Sequence, residues 1–310
     1  MRVTRGNVAL VFGCFGARRL PGPVLVTALT DLGMSPAAAR ALIARMTRDR
    51  RLRASRRGAV TVYELGDAMR RDFLRIRYGD ASPPWEGHFD AVIYDVPESR
   101  RADRDGLRAA AAEGGFAPLR PGLLIGFEPA AAWLEPFRRH RPRSGFIEVG
   151  QLACDVPTAR RLTRRAWNLD KAAATMREHT ASVAATVEAV RGAPPSGAQA
   201  LRTLSGVMTL STRHRLLTPA LPAELRPARW PADDLHAAIQ RLTALLFTEI
   251  AAYVYDTLAA SPHACLVEAD PSADEVRAAA RRALADLRDS AQAPGPRGGC
   301  DGPATTVRQP

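Results

Sequence analysis

The stretch Gly33-Met34-Ser35-Pro36-Ala37-Ala38-Ala39-Arg40-Ala41-Leu42-Ile43-Ala44-Arg45-Met46-Thr47-Arg48 decides how the amino-terminal part of this chain is read. Gly33 stops a preceding helix, Ser35 offers an N-cap oxygen, and Pro36 supplies the fixed φ of a first helical turn. Ala39, Leu42, Ile43 and Met46 then recur at helical spacing, so a helix is expected to run to about Arg50 with that stripe inward. The opposite face holds Ala37, Arg40, Ala41, Ala44, Arg45 and Arg48, which is small and basic together. A helix that enters a DNA groove needs little bulk and one or two guanidiniums.

Working outward, Val8–Phe15 reads as a first helix, and Pro23–Leu32 as a second with Val24, Leu25, Ala28, Leu29 and Leu32 on its apolar side. Beyond the third helix, Leu52 opens a pair of short extended runs. Arg56-Arg57-Gly58 make the turn, and Val60, Val62, Tyr63 and Leu65 lie on the return. Helix, helix, turn, helix and two-stranded wing is the order of a winged helix-turn-helix. An arginine-rich helix, Gly66–Arg77, leads out of it.

The charge is placed to match. The chain of 310 residues carries a net +12, and Lys171 is its only lysine. Residues 1–80 hold 16 arginines against 6 acids, while the remainder is nearly neutral. That segregation is the electrostatic footprint of a module that meets a polyanion. Ser35, Ala37, Arg40, Ala41, Ala44, Arg45 and Arg48 are the candidate DNA-facing residues of the third helix, and Arg53, Arg56 and Arg57 are the candidate phosphate contacts of the wing. Arg40, about one turn into its helix, is the candidate for bidentate reading of a guanine.

Asp80–Glu86, with Ser82 and Pro83-Pro84, reads as a linker. After it comes the apolar strand Phe89–Val96, a helix capped by Ser99 and stopped by Gly114-Gly115, and strands Phe116–Leu119 and Leu123–Phe127 around the turn Arg120-Pro121-Gly122. A helix over Pro129–His140 and a last strand Phe146–Val149 complete a β-α-β-β-α-β pattern, which is that of ferredoxin-like domains. Beyond Pro157 the pattern is helical: Ala172–Arg191, Leu201–Leu217 and Asp233–Ala260, then a charged terminal helix over Asp274–Arg288. The stripe Leu235, Ile239, Leu242, Leu246, Ile250, Tyr253 and Leu258 suits either a core or a dimer seam. The fold class expected is therefore α+β. Its expected domains are a winged helix-turn-helix at 1–80, a ferredoxin-like domain at 81–172, a helical carboxy-terminal domain at 173–290 and a disordered tail at 291–310.

Several function classes fall away. Cys14, Cys154, Cys265 and Cys300 include no CxxC pair, which argues against a zinc ribbon and for a reducing, cytoplasmic setting. The longest apolar run, Val8–Phe15, is too short to cross a bilayer, so no membrane partner is expected. There is no GxGxxG, P-loop, HExxH or GxSxG, and the six histidines show no metal spacing, so neither enzymatic activity nor a cofactor is expected. The alternative is a nucleic-acid-binding or metal-dependent nuclease-like protein using Asp95 at the end of the first strand of the middle segment, without promoter-specific regulation. One carboxylate is too few for a divalent ion, and a structural strand-end aspartate is the simpler reading.

Six pieces in register carry a family resemblance: Gly33-Met34-Ser35 with Arg40 and Arg45-Met46; Tyr63-Glu64-Leu65; Val92-Ile93-Tyr94-Asp95-Val96-Pro97-Glu98; Gly115-Phe116-Ala117-Pro118-Leu119-Arg120-Pro121-Gly122; Ala166-Trp167-Asn168-Leu169-Asp170; and Leu221-Pro222-Ala223-Glu224-Leu225-Arg226-Pro227-Ala228-Arg229-Trp230-Pro231. Over roughly residues 4–260 the chain resembles the PaaX family of bacterial transcriptional regulators. The resemblance implies a homodimeric regulator, usually a repressor, that binds double-stranded DNA through its winged helix and answers to an acyl-CoA such as phenylacetyl-CoA. Where a Gly-Trp step commonly follows the recognition helix in that family, this chain has Arg50-Arg51.

Overall fold

In the computed structural model, residues 5–67, 69–70, 73–74, 84–139 and 145–270 are described. Among them stand nine α-helices and two antiparallel sheets of four strands each, an α+β architecture. The chain begins with α1 (Arg5–Cys14), β1 (Ala17–Pro21), α2 (Gly22–Asp31), α3 (Pro36–Arg48), β2 (Leu52–Arg57) and β3 (Val60–Leu65). The strand β1 corrects the sequence reading, in which the first helix leads straight to the second. Ala17, Leu20 and Pro21 are buried while Arg18 faces out, and β1 pairs antiparallel with β3. The hairpin β2–β3 is thus continued into a larger sheet of order β2-β3-β1-β8, whose last member, β8 (Glu268–Ala269), comes from the far end of the described chain.

Two helices here end in the same way. Gly33 takes φ +100°, its N–H reaches the Thr30 carbonyl, and the Met34 N–H reaches the Leu29 carbonyl. After α3, Arg50 takes φ +55°, its N–H reaches Thr47 and the Arg51 N–H reaches Met46. Both are Schellman closures, which place a left-handed residue just past the helix. Arg50 therefore holds a conformation that glycine adopts more cheaply. Val8, Phe12, Leu20, Leu25, Leu29, Ile43, Met46 and Leu52 form the core beneath, joined by Leu201 and Tyr253 from the carboxy-terminal helices.

The second sheet is built from β4 (His88–Asp95), β5 (Ala117–Arg120), β6 (Leu123–Gly126) and β7 (Phe146–Ala153), in the order β5-β6-β4-β7. Helices α4 (Arg101–Glu113) and α5 (Ala131–Arg139) cover one face through Val92, Tyr94, Leu107, Ala111, Leu134 and Ile147. The other face buries Phe89 and Ile125 against α6 (Val156–Ala166) and the stretch 221–230. Two expectations need correction. Ser99 does not cap α4: Glu98–Arg100 first make a 3-10 turn, and Arg100 occupies the cap position without a side-chain bond. β7 runs four residues past Val149 because its backbone stays paired with β4 through Gly150, Gln151 and Leu152 although the apolar pattern lapses there.

Helices α7 (Leu169–Gly192), α8 (Gly197–Leu217) and α9 (Ala232–Ala259) pack through Val183, Val187, Leu204, Leu242, Leu246 and Ile250. The α9 stripe is thus a core contact within the chain. By unbroken apolar runs no segment qualifies as a membrane span, yet α9 is long and apolar enough, by length and composition alone, to cross a bilayer. Residue 172, the expected domain limit, lies inside α7. Buried polar contacts tie these helices to the amino-terminal unit: Asn7 donates to Ser205 and, at 3.2 Å, to Thr209, and the Tyr253 hydroxyl donates to the Asp31 carboxylate at 2.7 Å. Burial, and then that bond, push the Tyr253 phenol well above its ordinary range. The expected terminal helix Asp274–Arg288 and the tail lie outside the described residues, as do parts of Gly66–Arg77 and of Asp80–Glu86.

Candidate nucleic-acid interface

Each candidate residue can now be placed. Ser35 is the N-cap of α3, and its hydroxyl accepts from the Ala38 N–H at 3.2 Å. Ala39, Leu42, Ile43 and Met46 are buried, while Ala37, Arg40, Ala41, Ala44, Arg45 and Arg48 are all exposed on the outward side of the helix. α2 and α3 pack on each other, so the outward face of α3 is held against a fixed support. Among the described residues Arg40, Arg45 and Arg48 have no carboxylate partner. Losing the cap oxygen should loosen the first turn that carries this face. Ser35→Ala is expected to cost about 1 kcal/mol of stability, seen as a lower thermal midpoint by about 2 to 4 °C.

The hairpin stands beside it. Its register pairs Leu52 with Leu65 and Arg57 with Val60, leaving Gly58 and Ala59 as a two-residue turn. Gly58 takes φ +60° and Ala59 does not have a positive φ, which fits a turn that needs glycine only at its first central position. Every residue of β2 after Leu52 is exposed. The arginines of the hairpin are not equivalent, however. Arg56 has no acid partner among the described residues, whereas Arg53 pairs with Asp67 and, at 3.7 Å, with Glu64, and Arg57 lies 3.8 Å from Glu268. Both remain about half exposed, so these are surface pairs of modest strength that a phosphate can exchange for.

Behind the hairpin the arginines are used internally. Arg19 on β1 bonds Glu268 at 2.8 Å and Glu64 at 3.1 Å, and these hydrogen bonds, Glu268 first, raise its pKa. Arg70 lies 3.2 Å from Asp270, and Arg51 reaches Glu113 of α4 at 2.7 Å. Sequence reasoning passed over Arg18, which lies on β1, and Arg50, which takes the left-handed position just past α3; both are exposed.

Asp95, the residue of the nuclease-like alternative, is exposed at the end of β4 opposite Phe146. Among the described residues no group of three or more His, Cys, Asp and Glu stands close enough to hold a metal ion. That donor set does not favour metal-dependent hydrolysis.

None of the curated proteins matches the chain. Among solved structures, it is similar to the uncharacterised protein Rv0674 from Mycobacterium tuberculosis, with 23% sequence identity, a TM-score of 0.45, and coverage of 76% of this chain and 90% of that one. Residues 82–141, the segment that includes β4, α4, β5, β6 and α5, match the model of the PaaX protein central Cas2-like domain.

Proposed function

We propose that the chain is a DNA-binding transcriptional regulator of the PaaX type, acting as a homodimeric repressor on double-stranded DNA. The observation that carries this reading is the outward face of α3, where three arginines with no acid partner among the described residues rise from a bed of alanines beside an exposed hairpin. We read α2, α3 and the β2–β3 hairpin as a winged helix-turn-helix and the second sheet as ferredoxin-like. The order β5-β6-β4-β7 is what a split β-α-β arrangement produces, and it supports that assignment. The match over residues 82–141 speaks for a regulator rather than an enzyme.

In this mechanism α3 lies in the major groove with Arg40 toward a guanine edge, while Arg45, Arg48 and the wing hold phosphates. A two-fold dimer places its half-sites about one helical turn, or a multiple, apart. The effector, by the resemblance, is an acyl-CoA or a related metabolite that releases the DNA. Footprinting on the intergenic DNA beside the gene, with and without a panel of acyl-CoAs, tests the reading: a protected two-fold site that persists as salt rises supports it. Binding that is indifferent to sequence and vanishes with salt overturns it. Arg56→Ala is expected to weaken all sequences alike and to reduce the slope of log affinity against log salt by about 1.

A further inference from the structure

A cleft of about 470 Å³ opens between α6, the start of α7 and the loop 225–230. Arg160 and Arg164 of α6, Arg177 of α7, and Arg226 and Arg229 of the loop line it, against the single acid Asp170. Among the described residues only Arg164 is neutralised there, its Nε lying 2.9 Å from the Asp170 carboxylate. Arg160 Nε donates to the Glu224 carbonyl at 2.6 Å and Arg226 Nε to the Leu221 carbonyl at 3.2 Å. These backbone oxygens orient the two guanidinium planes and leave their charge and their terminal nitrogens unspent. Arg177 and Arg229 have no partner among the described residues. Four uncompensated cations around one concavity repel one another, and a bound anion removes that cost.

Two further features point the same way. Arg229 is held at φ +58°, a conformation disfavoured for a residue with a side chain and one that recurs where a site is under constraint. α7 starts from Asn168 at φ +47° with no side-chain cap bond, and its first residues, Leu169 and Asp170, line the cleft. The first N–H groups of a 24-residue helix, with the positive end of its dipole, therefore lie at the cleft. Leu169, Ala173 and Leu225 are buried at its base, and the half-buried Trp230 supplies apolar surface beside the cations.

From this geometry we infer that the cleft binds a small phosphorylated metabolite, its phosphates on Arg177, Arg226 and Arg229 and its apolar body against Trp230. A duplex is convex and is met by protruding elements, whereas a concavity of this volume is of small-ligand size. The site is argued from its own residues and does not rest on the DNA-binding reading.

Titration calorimetry on the full chain with inorganic pyrophosphate, and separately with ADP, tests it. One site is expected for each probe, with ADP the tighter because it adds a ring beside Trp230. The double variant Arg177→Gln/Arg229→Gln is expected to weaken both at least tenfold, and Arg177→Gln alone to do so in smaller measure. Arg108→Gln, exposed on α4 and outside the cleft, should leave both unchanged. No heat with either probe, several equivalent weak sites, or affinities that the double variant leaves intact would each overturn the site. So would displacement of pyrophosphate by duplex DNA together with loss of DNA binding in the double variant, which would make the cleft part of a nucleic-acid path.

Discussion

Arg40→Ala is expected to weaken binding to the operator by about 1 to 3 kcal/mol, roughly a 5- to 150-fold loss, and to relax the preference at one base pair. The argument starts from position. Arg40 stands one turn into α3, exposed, between Ala37, Ala41 and Ala44, whose side chains are too short to keep the helix out of a groove. It has no acid partner among the described residues, so its fork is available for a base edge without first breaking a bond. Stability should barely change, because the side chain is exposed and packs into no core. Gel-shift measurements on the footprinted site and on single-base variants of it separate the two outcomes. An equal loss on every sequence would move Arg40 from the base-reading set to the phosphate set, alongside Arg56.

Phe89→Ala should have the largest effect on stability, about 3 to 5 kcal/mol. Phe89 is fully buried at the start of β4, where the second sheet meets α6 and the 221–230 stretch. Its ring centroid lies 4.7 Å from that of Trp85, 5.4 Å from Phe127 and 6.5 Å from Trp167, and Phe127 stacks on Trp167 at 5.1 Å. Removing the central ring of this group leaves a cavity that three large, rigid neighbours cannot collapse to fill. Denaturant unfolding followed by tryptophan fluorescence reads the change directly, since two of the three neighbours are tryptophans. A cost below about 1 kcal/mol would show that the group repacks freely, contrary to the geometry.

What the sequence declared and what it concealed follow from how each element is stabilised. α3 was legible because Ser35-Pro36 marks its start and the spacing of Leu42, Ile43 and Met46 marks its inner face. The element order of the middle segment was legible for a similar reason, with Gly115 and Gly122 at positive φ where the chain must turn. β1 was not: Ala17-Arg18-Arg19-Leu20-Pro21 is short, half polar and ends in proline, and it is a strand because β3 and β8 lie on either side. β8 has two residues and no local signal at all. Among the site residues, exposure on α3 followed from helical period, but the acid partners of Arg53 and Arg57 did not. Glu268 reaches Arg57 from more than two hundred residues away in sequence. The arginine cleft was equally hidden, since its cations come from three separate segments with no spacing in common.

The clasp made by β8 has a practical bearing on how the amino-terminal unit behaves when severed. A fragment stopped near residue 80 would lose one of the two backbone partners of β1, together with the Glu268 and Asp270 carboxylates that engage Arg19 and Arg70. It would also lose Leu201 and Tyr253 from beneath its helices. What remained would carry a raw sheet margin of the kind that invites self-association. The amino-terminal unit of this protein is thus finished only when synthesis has passed residue 270, so its folding reports on the integrity of the chain as far as that point.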